Sequence, residues 1–302
     1  MFRTRKTRGT DGRLVAILSL MTAGIATAFA WAVATLPMAN AAEGESRVLS
    51  LGGAVTEIVY ALGEGDRLVG RDSTSTWPPD ATELPDVGYV RALSPEGVLS
   101  VSPDLILAEE GAGPPEAVEV LRAANVEFVT VPGGFDAEAV LTKIETVGAA
   151  LGRPDRAAEL AERTRTALRD ASERAAAHDG PARRVLFVMS AEGGRLMAAG
   201  VGTAADGIIR MAGAENAMRG FQGYKQVSDE AVAAAAPEAV LMMDRGGEHA
   251  VSDETLFGSP ALRTTPAARD GRVIRMDGLK LLGFGPRTAE VAAELSTALY
   301  GD

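Results

Sequence analysis

The 302-residue chain contains no cysteine. That excludes disulfides, zinc–thiolate sites, iron–sulfur clusters, a thiol nucleophile and a lipid-modified cysteine behind an export signal. Histidine is nearly missing as well, with His178 and His249 the two present. Neither stands in a motif, and no H-E-x-x-H, G-x-S-x-G or P-loop pattern occurs. His178 follows a helical stretch in polar surroundings and reads as solvent-exposed. His249 lies in a polar loop, residues 244–253, and reads either as an ordinary loop histidine or as a second metal ligand. No Arg-Arg pair stands in the N-terminal basic region, which excludes a twin-arginine signal. Beyond residue 34 no stretch is apolar for long enough to span a bilayer.

What is present begins with an export signal. Arg3, Arg5, Lys6, Arg8 and Arg13 precede an uncharged stretch from Leu14 to Ala34, and Ala39-Asn40-Ala41 supplies small residues of the A-x-A type. The pattern predicts cleavage near Ala41; the rival is an uncleaved membrane anchor. Removing residues 1–41 takes away five basic residues and one acid, leaving 25 basic against 40 acidic, a net of −15 in place of −11. Such a surface repels nucleic acid. The expectation is a periplasmic protein that is not membrane-embedded and acts as a monomer.

A fourteen-residue pattern occurs twice. Ser94–Leu107 reads SPEGVLSVSPDLIL and Ser228–Leu241 reads SDEAVAAAAPEAVL, each preceded by a Gly-Tyr pair, Gly88-Tyr89 and Gly223-Tyr224. The spacing is too long for a solenoid, so the repeat predicts two similar lobes with cores of their own and a ligand between them. Apolar runs at 47–51, 67–70, 105–108, 127–131, 184–189, 239–243 and 272–276 read as strands. Helical spacing lies between them at 56–62, 115–125, 203–212 and 230–236, with a closing helix at 287–300. Strands alternating with helices predict parallel sheets. Residues 136–177 keep helical spacing through Gly152-Arg153-Pro154 and read as one long segment, kinked or stepped at Pro154. The predicted fold is therefore α/β. Two parallel-sheet lobes, 42–135 and 181–302, are joined by a long helical spine at 136–180, with a ligand cleft between them.

Tyr89 is the sharpest chemical candidate. A phenol is neutral at physiological pH, but ferric iron can replace its proton, and tyrosinate is an axial ligand of haem iron. In an extended segment Arg91 lies on the same side as Tyr89, where it can donate to a phenolate or pair with a carboxylate. A tyrosine packed at a lobe edge is the plainer alternative. Met242-Met243, Leu281-Leu282-Gly283-Phe284 and Trp77 read either as core or loop residues, or as apolar cleft wall.

The stretch Gly88–Ser100, GYVRALSPEGVLS, resembles the ligand-bearing segment of periplasmic haem-binding proteins that serve ABC-type haem importers. Val185–Ser190, Met197–Gly200, Thr203–Met218, Gly220-Phe221 and Leu281–Gly285 extend that resemblance over the mature chain. The resemblance implies one haem b held edgewise between the lobes as transported ligand, and no catalysis. It assigns Tyr89 as axial ligand and Arg91 as partner of the phenolate or of a propionate. Arg245 falls where relatives place a propionate-binding arginine, and the repeat puts Tyr224 and Lys225 near the cleft. Some relatives carry a second haem ligand where Ala191 stands, so one five-coordinate haem is expected here. Glu96 and Glu230 occupy equal places in the two repeats. Each suits the first turn of a capped helix, and the resemblance adds docking onto an inner-membrane permease dimer. Two rivals stand beside this: the same fold carrying a ferric siderophore or a corrinoid, and an exported α/β metal enzyme.

Overall fold

The computed structural model describes residues 46–192, 195–244 and 251–301. The N-terminal signal region, Arg245 and His249 lie outside them. Among the described residues no helix is long and apolar enough to cross a membrane.

The first sheet contains β1 (Val48–Leu51), β2 (Leu68–Arg71), β3 (Leu105–Glu109) and β4 (Glu127–Val131), in the order β2-β1-β3-β4 and parallel throughout. Helices α1 (Gly53–Ala61), α2 (Pro95–Leu99) and α3 (Pro115–Ala123) lie between the strands. β1 is buried at every position, which suits its apolar run; its one polar residue, Ser50, hydrogen-bonds the Thr56 hydroxyl at 2.7 Å.

The second sheet contains β5 (Arg184–Glu192), β6 (Arg195–Ala199), β8 (Tyr224–Val227), β9 (Ala239–Asp244) and β10 (Val273–Asp277), ordered β10-β9-β5-β6-β8, with β7 (Glu215–Asn216) paired to β5. Its β10-β9-β5 half is parallel as expected, but β6 and β8 run antiparallel. The second lobe is thus mixed where the alternation predicted a wholly parallel sheet. Helices α6 (Ala204–Met211), α7 (Asp229–Ala235), α8 (Asp253–Gly258), α9 (Pro266–Arg269), α10 (Gly278–Leu282) and α11 (Thr288–Tyr300) complete it.

The segment expected as one stepped helix is two, α4 (Ala137–Ala150) and α5 (Pro154–Ala176). Gly152 takes φ +69°. Its N–H donates to the Ala149 carbonyl at 3.1 Å, and the Arg153 N–H donates to Gly148 at 2.8 Å. These two bonds form a Schellman stop. Pro154 then opens α5, where its missing N–H costs nothing. A Cβ on Gly148 would collide with that of Ala157, so the two helices approach closely just past the turn. The spine is α5 alone, 23 residues and about 35 Å long at the usual rise. It packs on α4 on one side and on α6 and α11 on the other.

Alternation along the strands divides the interior. Leu49, Leu51, Ile106 and Ala108 enter an outer core of the first lobe; Leu186, Val188, Val240 and Met242 enter an outer core of the second. The intervening residues, Val48, Leu105, Leu107, Val185, Phe187, Ala239 and Leu241, all join one cluster with the buried faces of α4, α5 and α11. The lobes were expected to have separate cores. In fact their inner faces share one.

Candidate functional site

The repeat folds alike in both lobes. Ser94 caps α2 by accepting from Gly97 N at 3.4 Å, and Ser228 caps α7 by accepting from Ala231 N at 3.2 Å. Each helix leads to an interior strand, β3 or β9. Glu96 and Glu230 stand exposed in the first turns. The Glu230 carboxyl is held below its ordinary range by its own backbone N–H and by the Ser228 hydroxyl.

The two tyrosines differ. Gly88 adopts φ +105°, with open space where a Cβ would stand. It is required for its backbone conformation, which other residues rarely adopt. Asp86 holds the loop: it accepts from Gly88 N at 2.8 Å, from Ser73 Oγ at 3.0 Å and from Arg71 Nη1 at 2.9 Å. Burial pushes the Asp86 carboxyl up, but the Gly88 N–H, the Ser73 hydroxyl and Arg71 outweigh it and hold it below the usual carboxylate range. Beyond Gly88 the chain turns: Ala92 N donates to the Tyr89 carbonyl at 2.8 Å. Tyr89 and Arg91 therefore lie on a turn, and the extended segment expected there is absent. The Tyr89 side chain is left 49 % exposed. Arg91 Nη1 donates to the Gly111 carbonyl at 3.1 Å.

Tyr224 sits on β8 against Ala199 of β6. Its ring meets Phe187 edge-on, centroids 6.3 Å apart. Burial pushes the phenol pKa up; the Ala205 N–H and the Thr203 hydroxyl at the start of α6 pull the other way, as does the charge of Arg91. Arg91 of the first lobe is thus near enough for its charge to be felt at Tyr224 of the second. Lys225 points to the opposite face of β8, with Nζ 5.5 Å from the centre of the Phe221 ring. A ligand on one face of the strand meets one of the pair.

Leu281 and Phe284, weighed as core or cleft wall, are core, each 1 % exposed. Trp77 is 41 % exposed on the loop after β2, with Arg287 Cζ 4.5 Å above its ring centre. That loop is tied to the Tyr89 loop by Ser73 N donating to the Gly88 carbonyl at 2.9 Å. His178 is half-buried against Tyr300, ring centroids 3.8 Å apart and planes tilted by 46°, where a solvent-exposed ring was expected. Among the described residues no cluster of three or more His, Cys, Asp or Glu side chains can hold a metal ion. Asp86 is the functional residue that sequence reasoning missed. Its signal was Asp86-Val87-Gly88, an acid two residues before a glycine, the spacing of an Asx-turn.

Residues 48–278 match a family described as periplasmic binding protein. The solved structure of the periplasmic heme-binding protein BhuT in complex with two hemes is 43 % identical, with a TM-score of 0.81, over 85 % of this chain and 99 % of that one. An uncharacterized ABC transporter substrate-binding lipoprotein of Bacillus subtilis, YvrC, is 28 % identical over 258 residues, 85 % of this chain and 80 % of its own length. A vitamin B12-binding protein of Pectobacterium atrosepticum is 27 % identical over 256 residues, 83 % of this chain and 90 % of its own. With a family match that takes in both sheets, the chain belongs to the periplasmic binding proteins.

Proposed function

We propose that the protein captures haem in the periplasm and delivers it to an inner-membrane ABC permease dimer, without catalysing a reaction. The observation that carries this is the half-exposed Tyr89 phenol beside the seam, on a loop that Asp86 fixes. A phenol so held can give up its proton to ferric iron and become its axial ligand. The greater similarity to a heme-binding protein (43 % identity) than to a B12-binding protein (27 %) supports the same cargo over a corrinoid. Arg91, two residues beyond Tyr89, is the proposed partner of a propionate or of the phenolate. Tyr224 faces the seam from the second lobe and Arg245 is a proposed charge partner of a propionate, whereas Lys225 stands on the other face of β8, over Phe221. Glu96 and Glu230, exposed at equal places on the two lobes, address the two halves of the permease. The signal is cleaved near Ala41 and the mature protein is a monomer.

One haem b, five-coordinate through Tyr89, is the first reading, because Ala191 offers no ligand. BhuT, with its two hemes, favours a second reading in which two stack in the seam. Hemin titration followed by visible absorption tests both. A tyrosinate-type high-spin spectrum that saturates at one equivalent and is lost in Tyr89→Ala supports the first. Saturation at two equivalents replaces it with the second, and an unchanged hemin spectrum rejects haem as cargo.

A further inference from the structure

Segment 279–287 of the second lobe is driven into the first like a wedge. Leu279 fills the space in which a Cβ of Gly53 would stand. The Gly283 carbonyl lies 3.4 Å from Lys143 Nζ, itself paired with Glu109 Oε1 at 2.9 Å. Phe284 meets Phe135 edge-on at 5.4 Å. At its end, Arg287 clasps Glu57 of α1: Nε to Oε1 at 2.9 Å, Nη2 to Oε2 at 3.1 Å and the backbone N to Oε1 at 3.3 Å. Both partners are largely buried, with side chains 20 % and 8 % exposed.

Most of the wedge is ordinary packing. The Arg287 contact is different because it has a third member. The guanidinium lies between the Glu57 carboxylate and the Trp77 indole. Trp77 is exposed, and its loop is bonded to the loop that bears Tyr89. Asp72 anchors that loop from within, accepting from Gly52 N, Thr74 N, Thr74 Oγ1 and Ser75 Oγ. One cation thus joins the second lobe to a buried acid of the first and to an aromatic ring beside the ligand tyrosine. A two-pronged Arg–carboxylate contact is directional, and stacking on indole adds a second direction. Together they fix an angle as well as a distance.

We infer that Glu57, Arg287 and Trp77 form an interlobe latch, with Arg287 a positioning residue that sets the lobe angle and ties it to the mouth of the Tyr89 seam. The shared core limits how far the lobes travel, and the latch selects one angle within that range. The consequence for release rests on the haem reading above; the latch itself does not. Parting the lobes pulls Arg287 from Trp77 first, since the ring is exposed while the acid is buried.

The absence of cysteine makes the test direct. Glu119→Cys on α3 and Arg263→Cys in the second lobe, both at exposed positions, take spin labels for pulsed distance measurement in the full chain without ligand. Glu57→Gln with Arg287→Gln removes the charges together and leaves no buried ion alone, so it folds where Arg287→Gln alone fails. In the double variant the interlobe distance distribution should broaden and lengthen; in Trp77→Leu it should broaden less. A double variant with native circular dichroism and a distribution superimposable on that of the parent overturns the latch. Hemin release to apomyoglobin, as the second arm, should quicken roughly five- to tenfold in the double variant, because interface changes act chiefly on off-rates. If hemin does not bind at all, the function proposed above fails while the distance measurement still decides the latch.

Discussion

Tyr89 and Tyr224 follow the same Gly-Tyr pattern ahead of the same serine-capped helix, yet one stands 49 % exposed on a turn while the other, 37 % exposed, lies on a strand with its ring edge-on to Phe187. The scaffold has been kept twice, while the chemistry is local. What separates the two is the segment around each ring. Asp86 and a left-handed Gly88 lift Tyr89 away from its sheet, whereas pairing between β6 and β8 lays Tyr224 down along its own. Similarity between repeats predicts the capped helix and the strand after it; it does not predict the backbone just ahead, or which copy holds a reactive group.

The comparison breaks most sharply on the tyrosines. Tyr89→Phe should weaken hemin binding roughly a hundredfold, about 2.7 kcal/mol, and abolish the phenolate–iron charge-transfer band. Tyr224→Phe should keep the band and lose under about fivefold, the scale of one hydrogen bond. Equal losses would make the two copies equivalent after all. Next come the acids. Glu96→Arg and Glu230→Arg should each cut stimulation of the reconstituted permease ATPase roughly tenfold, as expected of a mismatched interface charge, with hemin affinity unchanged. An effect confined to one of them would make docking one-sided.

The pH limits sharpen the contrast further. The Asp86 carboxyl is held low in the folded protein. Its contribution is complete above the ordinary aspartate value and lost as pH falls through the folded one. Asp86→Asn should therefore flatten the acid limb of a stability–pH profile measured by urea melts. The Tyr224 phenol is held high. Its contribution is complete below the ordinary tyrosine value and lost as pH rises through the folded one, so Tyr224→Phe should flatten the alkaline limb instead. The smallest effect belongs to the caps. Ser94→Ala and Ser228→Ala should each cost about 1 kcal/mol or less in thermal or urea unfolding, and by similar amounts.

Much of this architecture could be read from the chain. Apolar runs marked β1, β3, β5 and β9 because a strand buried on both faces carries few polar residues. The serine caps and the repeat survived folding unchanged. Gly152-Arg153-Pro154 was read as a kink or step within one helical segment, although glycine followed by proline is the stop and start of two helices. β6 and β8 escaped because β8 reads Tyr-Lys-Gln-Val, short and mostly exposed. The Tyr89 site was legible as a motif, but its support was not. Asp86 gathers Ser73 and Arg71 from 13 and 15 positions away, and Arg287 meets Glu57 across 230 positions. No local pattern encodes that meeting.

The slab of α4, α5 and α11 closes both sheets at once, so neither half of the polypeptide owns a finished interior. Cutting the chain between residues 180 and 184 should give two insoluble fragments, and heating the intact protein should melt it in a single step. The two copies of the repeat therefore live, travel and are degraded as one unit.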